Sequence, residues 1–392
     1  MNSLAAGAST QSRAKRSLPI GWQPRVVARM GASEIWTLPN GDSFQLMTWV
    51  LDQGAGILGY TSRGNIHTKP LLARVRQLVD KTGMHGPGSI VSELEMSAAE
   101  LLLFTVDSFL AGGPLSVRFF ANGGDACDAA VRICRAITKR ERFISVGYHG
   151  ASVLFAHSPQ DEGTFQPRYR HDVAFGDAQA LARIFQSRAI ACVIVEVPSE
   201  DENAKPFLRA CRLLCDRYGA FLIMDEVVTG FRLCLGGAAE YYETKPDFAC
   251  YGKAMSNGRG ISALVGPAEG MEYLAERVFH SATYNGDPLN CAHLIATLEI
   301  LRAADDDIYE HIWTMGERLK TGLQEIGIPC VGHAPRTALN MPDEKRRIFC
   351  AQMIERGIIM DRPNYITLAH RTRHINTTLQ AAQQVLGEGI NE

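Results

Sequence analysis

Apolar and polar positions along the chain alternate in three successive ways. Residues 35–38 and 43–51 flank the turn Pro39-Asn40-Gly41-Asp42, and Asn-Gly readily supplies positive φ, so this stretch predicts a β-hairpin. A helix is predicted over 95–110, where Leu101, Leu102, Phe104 and Phe109 form an apolar face. From about residue 116 the pattern becomes strand, loop, helix, repeated. Strands are expected at 117–121, 143–146, 192–197, 221–224 and 246–250. A helix over 126–138 places Ala130, Ile133, Cys134 and Ile137 at helical spacing, and another carries Phe207, Cys211, Leu214 and Cys215 up to Gly219. Further helices are expected over 290–304, 308–326 and near 376–386.

Alternation of this kind predicts an α/β fold with a mainly parallel sheet between two layers of helices. The expected organisation is an N-terminal arm and hairpin over 1–55 that joins a small domain, a large domain over 56–288, and a small α+β domain over 289–392. The stretch between Gly332 and Met353 is short for a strand, a turn and a helix start, which would leave an open cleft suited to a bulky or carrier-linked substrate. No internal repeat or low-complexity segment interrupts the pattern.

Composition narrows the picture little. Of 392 residues, 46% are hydrophobic and 21% charged, with a net charge of −2, so neither a nucleic-acid nor a membrane partner is indicated. The opening MNSLAAGASTQSRAKRSLPIGW has no apolar core of signal-peptide length, and no run of about 18 apolar residues occurs, so a soluble, cytoplasmic protein is expected. Ten cysteines show no CxxC and no metal-ligand spacing, and read as reduced core thiols with no metal bound.

Candidate chemistry begins at strand ends, since ligands of open α/β sheets sit beyond the carboxyl ends of the strands. Asp225 directly follows the strand over 221–224. Lys253 follows the strand over 246–250 and sits beside Gly252 among small residues. A lysine there is a candidate for a desolvated, nucleophilic amine, whereas Asp225 by itself reads equally as a cap or an ion-pair partner. Asn122-Gly123-Gly124-Asp125 links a strand to a helix, so free backbone N–H groups and the helix dipole point at one spot suited to a phosphate.

The runs FLIMDEVVTGFR (221–232), YGKAMSNG (251–258) and HSATYNGDPLN (280–290), with FFANGGDACDAAVRICRAITKR (119–140) and GYHG (147–150) upstream, resemble the class-III aminotransferases, and within them the glutamate-1-semialdehyde aminotransferase-like proteins. The likeness continues through MIERGIIM (353–360) and spans most of the chain in the same order. It implies the aspartate-aminotransferase-like fold and a pyridoxal 5′-phosphate (PLP) cofactor held by Lys253 as a Schiff base. It further implies that Asp225 keeps the pyridine nitrogen protonated, that Val227 packs on one ring face and Tyr148 stacks on the other, and that Glu196 lies near the cofactor. Thr283 would bond the phosphate across a homodimer interface, beside Gly123, Gly124 and Asp125. The commonest family pattern carries hydroxyl residues where Gly123 and Asp125 stand. Asp125, which cannot face a phosphate comfortably, is therefore expected to cap the helix.

The reaction is less determined than the cofactor. The segment LPIGWQPRVVARMG lacks the serine-and-arginine pattern of glutamate-1-semialdehyde enzymes. An aminotransferase acting on a small amine or amino acid is the first reading, and a PLP decarboxylase, aminomutase or epimerase the alternative. Two other classes compete. Gly54-Ala55-Gly56-Ile57-Leu58-Gly59 matches the dinucleotide fingerprint, but the next segment, with Gly64 and Pro70, shows no helix-starting periodicity, so the glycines read as a loop near the site entrance. A catalytically dead binding protein would have no need of both Lys253 and Asp225. Arg232 could meet a substrate carboxylate or pair with Glu226 or Glu240. His149 could touch the cofactor or make a structural bond. His85 is placed near the site with no role, and His157, His171 and His370 read as ordinary loop or core histidines.

Overall fold

The structure is a computed structural model, and it describes residues 18–19, 22–61, 65–84, 86–155, 168–198, 200–201 and 203–389, apart from the side chains of Asp52, Asp305 and Asp306. An antiparallel sheet of β1 (Arg25–Met30), β2 (Ser33–Thr37) and β3 (Ser43–Thr48) opens it, with the predicted turn between β2 and β3. Helices α1 (Lys69–Thr82) and α2 (Glu93–Val106) follow. The first corrects the sequence reading. Pro70 lies in its opening turn, where a missing N–H costs nothing, and Leu71, Val75 and Val79 form a buried stripe.

Seven strands build the central sheet: β4 (Leu115–Phe120), β5 (Arg142–Val146), β6 (Arg170–Asp172), β7 (Ile190–Val195), β8 (Phe221–Glu226), β9 (Phe248–Tyr251) and β10 (Ser262–Pro267), in the order β4-β10-β9-β8-β7-β5-β6. Pairs from β9 to β6 are parallel, and β10 runs antiparallel to both β9 and β4. All six residues of β7 are buried, which explains a continuous apolar run instead of an alternating one. On one face α3 (Gly123–Thr138) covers Phe143, Ile194 and Phe248 with Cys127, Ala130 and Cys134. On the other, α4 (Ala178–Ser187) and α5 (Lys205–Tyr218) cover Ile144, Val193 and Met224.

Helices α6 (Pro288–Ala303) and α7 (Asp305–Glu325) lead to a sheet of β11 (Cys330–Val331), β12 (Arg336–Leu339) and β14 (Asn364–Tyr365). Between them α8 (Asp343–Glu355) precedes β13 (Ile358–Ile359), which joins β3 in parallel and so ties the two ends of the chain together, and α9 (Thr372–Glu388) closes the fold. The shortened segment thus forms β12 and most of α8. Among the described residues no helix is long and apolar enough to cross a membrane, and all ten cysteines are free.

Candidate active site

Strands β8 and β9 lie side by side with Asp225 opposite Cys250, so the chain beyond each opens at the same end of the sheet. Asp225 is almost wholly buried. Its Oδ2 lies 2.8 Å from Nδ1 of His149, and its Oδ1 accepts from the Val227 backbone N–H at 3.1 Å. A buried carboxylate needs such partners. His149 therefore makes a structural bond to the very carboxylate of interest, a role the sequence left open. The signal was its place after Tyr148 beyond β5, but only tertiary packing brings β5 and β8 close enough. Nε2 of His149 is buried with no partner.

Lys253 begins a 3-10 turn (Lys253–Ser256) directly after β9 and Gly252, with φ of +46°, the left-handed region that an L-residue enters at a cost. Burial pulls its amine down to about 8, opposed by the carboxylates of Glu196 and Asp225 and helped by the positive charges of Arg336 and Arg232. The turn ends at Asn257, whose side chain accepts from Leu58 N–H and donates to Gly59 carbonyl and Thr61 hydroxyl. The glycine loop 54–59 thus lies against the Lys253 turn and does not start a helix.

At the start of α3, Gly123 and Gly124 present free backbone amides. A Cβ on Gly123 would meet the Val227 side chain at 2.7–2.8 Å, and one on Gly150 would come within 2.8 Å of Gly124. Glycine is required because the loops after β4, β5 and β8 converge there. Asp125 corrects the sequence reading. Asn122 is the N-cap, its Oδ1 accepting from Asp125 N–H at 3.0 Å, and Asp125 accepts from Asn122 Nδ2 at 2.8 Å. The cap falls to Asn122 because it holds the extended backbone before the first turn.

Glu196 follows β7. One of its oxygens accepts from Tyr148 N–H at 3.3 Å and the other lies 3.4 Å from Arg336 Nη2; burial, then the charge of Asp225, push its carboxyl up. Tyr148 itself is 72% exposed, and Thr283 is exposed on a loop whose Asn285 accepts from the Ala121 N–H at the end of β4. Arg232 pairs with neither Glu226 nor Glu240, nor is it open to a ligand. It is fully buried, donates to the carbonyls of Ile366 and Gly54 at 2.8 and 2.7 Å, and lies over the Tyr365 ring. Arg336 was not singled out from sequence, since nothing near it forms a motif and only β12 delivers it to Glu196.

His85 and His157 lie outside the described residues. His370 is a core residue stacked on Trp49, and His171 lies on β6. Ligating atoms of Cys127, His149 and Asp225 lie within 4.8 Å of one another. A hydrogen bond with Cys250 and burial hold the Cys127 thiol well above its ordinary pKa, so it is a thiol and a poor ligand for a metal.

A desolvated amine, an anchored carboxylate on the neighbouring strand and a glycine cradle at a helix start suit the ring, aldehyde and phosphate of PLP. The glutamate-1-semialdehyde 2,1-aminomutase of Methanothrix thermoacetophila is 28% identical, with 96% of each chain covered. Among solved structures, the FumI protein of Sphingopyxis sp. MTA144 with PLP superposes at a TM-score of 0.85 with 22% identity, covering 98% of this chain and 93% of that one. An omega-transaminase from Sphaerobacter thermophilus gives 0.82 with 21% identity, covering 98% and 94%. Both share the fold. The family model described as aminotransferase class-III matches residues 50–362, and the chain belongs to that PLP-dependent family.

Proposed function

We propose that this site carries out transamination of an amine or amino acid, with Lys253 holding PLP and Asp225 facing its pyridine nitrogen. The observation that carries the reading is the desolvated Lys253 amine beyond β9 beside the His149-anchored Asp225 of β8. When bound, PLP supplies an electron sink for the carbanion formed beside the substrate nitrogen. The chain's own residues do the rest. Asp225, gripped by His149 and the Val227 N–H, cannot swing away and presents a fixed negative charge. The Lys253 amine, ionising near neutral pH, is suited to taking a proton from the substrate carbon and returning it. Backbone N–H groups at Gly123 and Gly124 receive the phosphate, with Asp125 turned aside to Asn122 and Thr283 adding a hydroxyl from a second copy of the chain. Val227 supports one ring face, and Tyr148 covers the other.

Several finer readings rest on the same site. Homodimer formation is supported by the exposure of Tyr148 and Thr283 in the single chain. Ten unpaired thiols fit a reducing, cytoplasmic setting. The short segment that forms β12 supports a cleft able to take a bulky or carrier-linked substrate. An amino shift or decarboxylation is the second reading, favoured by the aminomutase relative and by the fact that PLP supports whichever bond stands perpendicular to its ring.

Incubating holoenzyme with a panel of amino acids while following the cofactor spectrum tests the choice. Accumulated pyridoxamine phosphate supports transamination, whereas carbon dioxide release with the starting spectrum restored supports decarboxylation. Lys253→Ala abolishes turnover in either case, and turnover that survives it refutes the assignment.

A further inference from the structure

A cavity of about 680 Å³ opens between the N-terminal sheet, β13 and the start of α9, and it has the size of a small-molecule site. None of the residues placed around PLP lines it. Its cations are Arg356, Arg371 and Arg373, joined by His67 and His374, and no carboxylate is among the described residues that line it. Arg356 is paired with Glu388 outside the cavity. The other two arginines have no acidic partner among the described residues. Arg371 donates from Nη1 to the Leu368 and His370 carbonyls at 2.8 and 3.3 Å, and its Nη2 lies against Nε2 of His67. Arg373 Nε lies 3.4 Å from Nε2 of His374. The histidines register the excess charge. Burial lowers the pKa of His67, and Arg371 and His311 lower it further. Burial, Arg373 and Arg371 do the same to His374, and no carboxylate counters either shift. The residues that precede Asn65 and the N-terminal sheet bring no counterion: 62–64 hold Arg63, 1–17 hold Arg13, Lys15 and Arg16, and neither run contains Asp or Glu. The remaining wall is apolar. Met30 and Ile66, 49% and 65% exposed, leave large side chains open at the cavity, and the buried Met47 and Ile358 continue them inward.

We infer that this cavity is a second ligand site, which binds a small molecule with a phosphomonoester at one end and an apolar body at the other. Arg371 and Arg373 hold the phosphate, since guanidinium donors match phosphate oxygens and supply the charge that a dianion needs. Met30, Met47, Ile66 and Ile358 receive the body. The site meets the active centre through one loop. Asn65, which lines the cavity, donates to the Leu58 and Tyr60 carbonyls at 3.1 and 3.0 Å, and Asn257 of the Lys253 turn bonds Leu58 and Gly59 in the same loop. Binding here does not depend on the transamination reading.

Calorimetric titration of PLP-loaded holoenzyme tests this, with the phosphate site of PLP already filled. Three probes separate the parts of the ligand: phenyl phosphate, inorganic phosphate and phenol. Phenyl phosphate is expected to bind at one site per chain, about tenfold or more tighter than inorganic phosphate, and phenol is expected not to bind. Arg373 is exposed, so Arg373→Glu leaves fold and basal turnover intact while it weakens both phosphate probes by about tenfold or more. Ile66→Ser narrows the gap between phenyl phosphate and inorganic phosphate without weakening the latter. Phenyl phosphate binding that Arg373→Glu leaves unchanged overturns the inference. So does phenol that binds as tightly as phenyl phosphate, inorganic phosphate that binds as tightly as phenyl phosphate, or silence from both phosphate probes. A wild type that transaminates no amine yet binds phenyl phosphate through Arg373 refutes the proposed function while the second site stands.

Discussion

Lys253 combines a left-handed backbone with a desolvated amine, and both follow from its place at the end of a buried strand. A lowered pKa means that the neutral, nucleophilic amine is populated at lower pH than in an ordinary lysine, whose pKa is about 10.4. Capture of PLP by apoprotein, trapped with borohydride across pH 6.5–10, is expected to rise with pH to a half-maximum near 8; a midpoint close to that of free lysine contradicts this. His149 acts at the same scale. Replacing it by Ala strips Asp225 of one partner and is expected to cost about 1–3 kcal/mol of stability in denaturant. It also weakens PLP binding measured by titration of the apoprotein. Unchanged affinity would show that the Val227 N–H alone holds Asp225.

Element junctions place these residues, and two of them can be probed. Glu226, next to Asp225, is fully buried and accepts from the Thr229 hydroxyl and from the Ala238 and Ala239 N–H groups at 2.9 and 2.7 Å. It thereby caps the short helix Gly237–Tyr241. Burial pushes its carboxyl up to about 7. A raised acid favours the folded state while protonated, so its contribution is full below about 4.5 and is lost as pH rises through 7. The loss is on the order of 3 kcal/mol. Urea unfolding at pH 5 and pH 8 is expected to show a smaller stability difference in Glu226→Gln than in wild type. The second junction is the contact of Gly123 with Val227. Gly123→Ala is expected to cost about 1–3 kcal/mol, because its Cβ meets Val227, and Val227→Ala recovers part of that in the double variant.

At the scale of the molecule, the loop that carries Thr283 also exposes Phe279 and Tyr284, at 83% and 64%. The neighbouring segment, with Glu95 packed against Gly286, exposes Ile90, Val91 and Met96. A cluster of large apolar side chains of this kind marks a protein–protein surface. In a homodimer that shares Thr283, mixed dimers of Lys253→Ala and Thr283→Ala chains contain one site with both residues intact. Refolding the two variants together is therefore expected to restore activity above that of either alone. A monomeric mass in light scattering, or no recovery on mixing, removes the shared-site reading.

Although β6 and the antiparallel β10 are not legible in it, the sequence by itself determined five of the seven central strands and the chemistry at their ends: buried strands followed by Asp225 and Lys253, a glycine turn before a helix, and the hairpin at Asn40-Gly41. These are local patterns of period and turn chemistry, and they are written residue by residue. Helix α1 is not legible in the sequence because Pro70 reads as a breaker and the Leu71, Val75, Val79 stripe is only three residues deep, although a proline in the first turn is tolerated. The sequence places the cap on Asp125 instead of Asn122 and leaves Arg232 between a ligand and an acidic partner instead of on the Ile366 and Gly54 carbonyls for a related reason, since competing donors and acceptors are settled only once the chain is packed. His149 against Asp225, Asn257 against the glycine loop and Arg336 against Glu196 join residues far apart in the chain. Tertiary structure alone decided them, because no local periodicity encodes which side chains from different strands and domains come within hydrogen-bonding distance.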